Sequence, residues 1–163
     1  MWIDYGVGLC QPDLFDKALA QRRDELENVK IRSCLTVQPR AVLDRDPEGR
    51  HFHFFSWHFT GYDRRMHDAA LCNYIPLNLG EVPDYYRRFL DPVDIAIIKT
   101  CPMDDGGFFN FGPTNTWHRA VVERSKVVIV EIDRGLPYCF GNENGIHMSE
   151  VDYVIDGDHG PLG

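Results

Sequence analysis

An open, mainly parallel α/β sheet flanked by helices is the fold this sequence predicts, and three features predict it. Val93-Asp94-Ile95-Ala96-Ile97-Ile98 and Val127-Val128-Ile129-Val130-Glu131-Ile132 are nearly continuous apolar runs, as expected of strands buried on both faces of a sheet. A helical stretch ending at Arg124 separates them, so strand, helix and strand make a parallel pair with a right-handed crossover. The chain also opens on a short strand, Trp2 to Val7, followed by an amphipathic helix.

Each element has a local reason. Pro12 suits a first helical position, where a missing amide hydrogen is no loss, and Leu14, Phe15, Ala18, Leu19 and Leu26 share a face of a helix running to about Glu27. Lys30 to Val37 is a second strand, Asp44 to Gly49 a turn by composition, and His51 to Trp57 a third strand. Tyr62 to Leu71 reads as helix and Asn73 to Leu77 as extended, and Pro83 opens a helix to Leu90. Cys101 to Pro113 is a long loop holding Gly106, Gly107 and Gly112. Leu136 to Ile146 is loop, and Val151 to Ile155 a last strand.

With 163 residues, 44% hydrophobic and 26% charged, the chain has the size and composition of one folded domain rather than of a disordered segment. Its net charge of -8 offers no basic field for nucleic acid, and the same charge means that an anionic ligand needs local backbone amides. The cysteines Cys10, Cys34, Cys72, Cys101 and Cys139 form no C-x-x-C pair and read as reduced thiols. His51, His53 and His58 lack a further ligand at diagnostic spacing, so no metal is expected. There is no membrane-length apolar run, and Met1-Trp2-Ile3-Asp4 is no signal peptide, so a cytoplasmic protein is expected. The first apolar segment starts at Trp2, and a turn-rich stretch runs into Pro161-Leu162-Gly163. Both ends read as cuts in a longer chain.

In open α/β sheets, ligands bind beyond the carboxyl ends of the strands, which directs attention to three loops. Gly6-Val7-Gly8-Leu9-Cys10-Gln11-Pro12 is a glycine turn with amides at the start of the next helix placed to hold an anion. Phe111-Gly112-Pro113-Thr114 precedes another helix, with the Thr114 hydroxyl as its cap. Gly135 to Ser149 carries Gly141, Glu143 and His147. Asp104 and Asp105 read as a turn rather than an acid/base pair. Cys10 has no histidine tied to it by sequence and is a weak candidate nucleophile.

These loops together resemble the amino-terminal domain of the acetyl-CoA hydrolase/transferase family, above all its butyrate or 4-hydroxybutyrate CoA-transferase branch. The segments carrying the resemblance are Ile75 to Pro83, Cys101 to Gly112, and Ser125 to Asp133 with Leu136-Pro137. Gly141 with Ile146 to Asp152 completes the series. Cys101 and Pro113 stand where relatives often have serine, and Gln11 where the butyrate branch often has an acid.

The resemblance implies a CoA-transferase/NagB-RpiA-like fold, with residues 1–163 as the amino-terminal domain of a two-domain chain. It implies transfer of coenzyme A between a short-chain acyl-CoA and a carboxylate by a ping-pong route through a glutamyl-CoA thioester. Coenzyme A is then a substrate, and no tightly bound cofactor is expected. The nucleophilic glutamate is expected beyond residue 163, in a carboxy-terminal domain missing here, so this chain alone is expected to be inactive and the full enzyme to be a homo-oligomer. The residues expected to line the substrate are Gly6, Gly8, Gln11, Asn110, Gly112, Thr114, Gly141 and His147. An acyl-CoA hydrolase of the same family and a non-catalytic acyl-CoA-binding or regulatory domain are the competing readings. A sugar-phosphate isomerase is more remote, because no lysine or carboxylate pair is placed for proton transfer.

Overall fold

The computed structural model describes residues 1–159; the Pro161-Leu162-Gly163 end lies outside the described residues. Seven parallel strands form the main sheet in the order β4-β3-β2-β1-β5-β7-β9. They are β1 (Trp2–Val7), β2 (Val29–Cys34), β3 (Phe52–Ser56), β4 (Cys72–Tyr74), β5 (Val93–Thr100), β7 (Ser125–Ile132) and β9 (Tyr153–Asp156). Both apolar runs lie inside the sheet, paired from Val93↔Ser125 to Thr100↔Ile132. The chain first builds outward from β1 through β2 and β3 to β4, then returns to β1's other side with β5. The topological switch therefore falls between β1 and β5.

The helices are α1 (Leu14–Gln21), α2 (Ala41–Arg45), α3 (Gly61–Asp68), α4 (Val82–Arg88) and α5 (His118–Val122). Side-chain alternation divides the sheet. Ile3, Ile31, Phe54, Ile97 and Ile129 pack with Leu19 and Ala20 of α1 and with Val42 and Leu43 of α2. Val93 and Ala96 pack with Val82 and Tyr86 of α4 and with Ala120 and Val121 of α5. Each of the larger buried side chains contributes about 1.5–3 kcal/mol relative to exposure. None of the described helices is long and apolar enough to cross a membrane.

Several elements differ from expectation. Pro12 is not a first helical residue: α1 starts at Leu14 with Asp13 at its cap, and it stops at Gln21 rather than near Glu27. A 3₁₀ turn over Arg23–Glu25 follows, and Asn28 reverses the chain with φ +52°. β2 ends at Cys34, three residues before Val37, because Leu35 takes a left-handed φ of +53°. The stretch read as a turn from Asp44 begins inside α2, whose five residues are too few to display a helical period. The turn proper is held by Asp46, which accepts the amides of Arg50, His51 and Phe52.

The long loop after β5 and the loop before Ile146 are not wholly irregular. They contribute β6 (Phe108–Asn110) and β8 (Gly145–His147), which pair antiparallel as a separate ribbon. Phe109 opposite Ile146 seals it, both being buried. Strands of three residues leave no alternation to read.

Candidate functional site

The loops after β1 and β5 meet at the switch point. Gly6 and Gly8 take φ of +68° and +53°, conformations that L side chains adopt only with strain. The turn is fixed from inside, since Asp4 Oδ1 accepts the Gly6 amide at 2.9 Å. The Thr114 hydroxyl donates to the Val7 carbonyl at 2.8 Å and lies 2.8 Å from Cys10 Sγ, while the Cys10 thiol donates to the Phe111 carbonyl at 2.7 Å. Thr114 is therefore a brace between the two loops and not a helix cap. It lies in a 3₁₀ turn over Gly112–Thr114, and α5 begins only at His118.

The glycine turn was expected to leave room for a ligand, and the structure fills that room from within the chain. A Cβ on Gly6 would stand 2.9 Å from His118 Nε2, and one on Gly8 would stand 3.2 Å from Thr114 Cγ2. His118 is buried, stacks on Phe111 at 5.1 Å between ring centroids, and has its imidazole pKa pushed down to about 4 by burial. Burial likewise raises the Cys10 thiol to about 11, which leaves no thiolate for nucleophilic work.

The anion site expected at the start of α1 is also occupied. Glu131, fully buried near the carboxyl end of β7, accepts the amides of Asp13 (2.7 Å), Leu14 (3.1 Å) and Phe15 (2.8 Å). Asp13 pairs with Arg40 at 3.1 Å and with Lys99, and Lys99 lies 3.5 Å from Asp133. Burial opposes the Asp13 charge, but Lys99 and Arg40 outweigh it and hold the carboxyl below its ordinary value. Sequence reasoning missed this buried network. Its signal was present in Lys99 and Glu131, lone charges near the carboxyl ends of two otherwise apolar parallel strands. Among the described residues, Asp13, Glu131 and His159 have donor atoms of metal-ligand type within 4.8 Å of one another. Their carboxylates already face two cations and three amides.

The other expected residues divide into two groups. Gln11 is turned inward, its amide donating to Ser33 Oγ at 2.6 Å and to the Cys34 carbonyl at 2.8 Å. Gly112, at φ +67°, lies against Leu136, where a Cβ would come within 2.7 Å. Asn110 ties the loops after β5 and β7 together: its Oδ1 accepts the amides of Gly112 and Cys139, and its Nδ2 donates to the Cys139 carbonyl. Asn110 and Gly141 line one open crevice of about 360 Å³ with Phe108, Tyr138, Phe140 and Glu143. His147 lies on the neighbouring ribbon with its ring against Phe108 and Nδ1 2.8 Å from Ser149 Oγ. Asp104 forms a turn, as expected, by accepting the amides of Gly106 and Phe108.

A second, apolar crevice of about 270 Å³ opens beyond β2 and β3. Cys34, Leu35, Trp57, His58, Leu77, Leu79 and Val82 line it. The carboxyl edge of the sheet therefore carries a braced glycine turn, an open crevice of mixed aromatic and polar lining, and a small greasy one.

Comparison with known proteins places the chain by family and fold. Residues 1–162 match the acetyl-CoA hydrolase/transferase N-terminal domain. The chain is 39% identical over 159 residues to a butyryl-CoA:acetate CoA-transferase of Anaerostipes caccae, covering 97% of this chain and 36% of that protein. It is 39% identical over 163 residues to a probable butyrate:acetyl-CoA coenzyme A-transferase of Syntrophomonas wolfei, covering 99% and 36%. Among solved structures, RipA from Yersinia pestis superposes with a TM-score of 0.84 at 25% identity, over 99% of this chain and 39% of that one. The chain thus spans about a third of the length of the curated relatives it matches. On this match, and on a fold shared with its structural neighbours, the chain belongs to the acetyl-CoA hydrolase/transferase family and carries that family's N-terminal domain.

Proposed function

We propose that this domain forms the non-nucleophile half of a CoA-transferase active site. The reaction moves coenzyme A from a short-chain acyl-CoA to a carboxylate. A glutamate carboxylate from a carboxy-terminal domain attacks the thioester carbonyl, the C–S bond breaks, and an acyl-glutamyl anhydride and CoA thiolate result. The thiolate then attacks the glutamyl carbonyl, releasing the first carboxylate and leaving a glutamyl-CoA thioester. The incoming carboxylate reverses both steps, so the thioester's energy is kept only where water is excluded.

The observation that carries this reading is the meeting of the β1 and β5 loops at the switch point, in a chain whose relatives are CoA-transferases. In this reading Thr114 and Asn110 hold the loop wall rigid, and the apolar crevice at Leu35 and Trp57 takes the acyl chain. Gly6, Gly8, Gln11 and Gly112 act as packing that shapes the wall, while Gly141 and the nearby His147 stay accessible to substrate.

The test is an exchange assay on the polypeptide that joins this domain to a carboxy-terminal one, with butyryl-CoA and acetate, followed by separation of the CoA esters. Acetyl-CoA forming in step with butyryl-CoA loss supports transfer. Loss of butyryl-CoA at the same rate without acetate would instead assign hydrolysis, and binding without turnover would assign a regulatory domain.

A further inference from the structure

A third cavity lies away from the braced loops, on the sheet face that α4 covers only in part. It measures about 420 Å³, and its walls include Trp2, Phe55, Trp57, Tyr74 and Phe89 around Arg32. Arg32 is only 3% exposed. Its guanidinium carbon stands 4.1 Å from the Trp2 ring centroid and 5.7 Å from that of Tyr86.

A buried guanidinium needs partners for five N–H groups and for its charge. Arg32 has one long hydrogen bond, from Nη1 to the Asp91 carbonyl at 3.3 Å. No carboxylate lies within 4 Å of it among the described residues. Asp4, opposite Arg32 in the register of β1 and β2, feels the guanidinium's charge, but its oxygens bond the Gly6 amide and the Tyr86 hydroxyl and not Arg32. Lys30 stands 5.1 Å over the same Trp2 ring and adds positive charge. The exposed Asp91 side chain is a second opposing charge, on the rim. Contact with an aromatic face offsets part of the cost of burying the guanidinium but satisfies none of its directional donors.

We infer that this cavity binds a small monocarboxylate with an apolar body. The free edge of the Arg32 fork takes the carboxylate in the two-point geometry that guanidinium favours, and the aromatic walls take the hydrocarbon. Trp2 holds the guanidinium plane in place. The cavity adjoins the apolar crevice given above to the acyl chain, sharing Trp57 and Leu77 with it, but its recognition element, Arg32, lies outside that crevice and needs neither coenzyme A nor a second domain.

The experiment uses this chain and two probes, hexanoate and its uncharged analogue hexanamide. Titration is followed by Trp2 and Trp57 fluorescence and by the Arg32 Nε–H resonance. The expected result is saturable hexanoate binding that shifts the Arg32 resonance with the same midpoint, and binding of hexanamide at least about tenfold weaker. Arg32→Gln should weaken hexanoate by a similar factor. Should that variant fail to fold, Tyr74→Glu, which sets a carboxylate on the exposed rim, should weaken hexanoate and leave hexanamide unchanged. An unmoved Arg32 resonance, equal binding of the two probes, or no saturation overturns the proposal. Because the readout is direct binding, its failure would leave the transferase reading untouched.

Discussion

Glu131 Oε1 sits 2.7 Å from the amide nitrogen of Asp13, so a carboxylate on β7 closes the amino end of α1 across the sheet edge. Two further amides, from Leu14 and Phe15, point to the same carboxylate. Removing the charge while keeping the shape isolates its contribution. Glu131→Gln should lower unfolding free energy by about 1.5–3 kcal/mol, the range for hydrogen bonds to charged groups. Urea denaturation monitored by circular dichroism measures it, and a change below a few tenths would mean the amides find equal partners elsewhere.

Asp16 and His118 should pull the pH dependence of stability in opposite directions. Burial raises the Asp16 carboxyl from 3.8 to about 6, with Arg40 offsetting part of the rise. Between these values the folded chain holds a proton that the unfolded chain has lost, so this contribution grows on acidification and is lost as pH rises through about 6. Burial lowers His118 from 6.5 to about 4. There the unfolded chain holds the extra proton, so this contribution is full above 6.5 and lost as pH falls toward 4. Asp16→Asn should steepen acid destabilisation, and His118→Gln should flatten it. Urea midpoints from pH 4 to 7 separate the two.

The glycines should sort by what surrounds them. Gly112→Ala forces a Cβ to 2.7 Å from Leu136 Cδ2 at positive φ, and should destabilise by about 2–4 kcal/mol. Gly141→Ala meets nothing nearer than Asn144 Cβ at 3.8 Å and should stay within about 0.5 kcal/mol. Thermal melts of the two variants provide the comparison; equal losses would contradict the packing described.

Thiol reactivity should be graded. Cys139 is partly exposed, whereas Cys10, Cys34, Cys72 and Cys101 are buried, and burial raises Cys34 and Cys72 to about 12. An aromatic disulfide reagent should modify Cys139 quickly in the native chain and the other four only in denaturant. Fast reaction at Cys10 would revive it as a nucleophile.

The sheet was legible because Val93 to Ile98 and Val127 to Ile132 are nearly continuous apolar runs, and their loops marked its carboxyl edge. Order within that edge was not legible. Which side of the Gly6-Gly8 turn His118 and Thr114 would fill depends on contacts more than a hundred residues apart in sequence, and local pattern carries no such information. The same holds for Glu131, whose apolar neighbours advertised a strand but not the helix terminus it closes. Asn110, expected to line the substrate, stands as a bridge between two loops, with one side on the open crevice.

The place of β1 has a consequence during synthesis. Its partner β2, and β3 and β4 beyond it, follow directly behind, while β5, on its other side, begins only at Val93. At ribosomal speeds the uncovered flank of β1 waits on the order of ten seconds for its neighbour. Until then any half-sheet built on β1 has an open parallel edge, with unpaired backbone groups of the kind that template pairing with another chain.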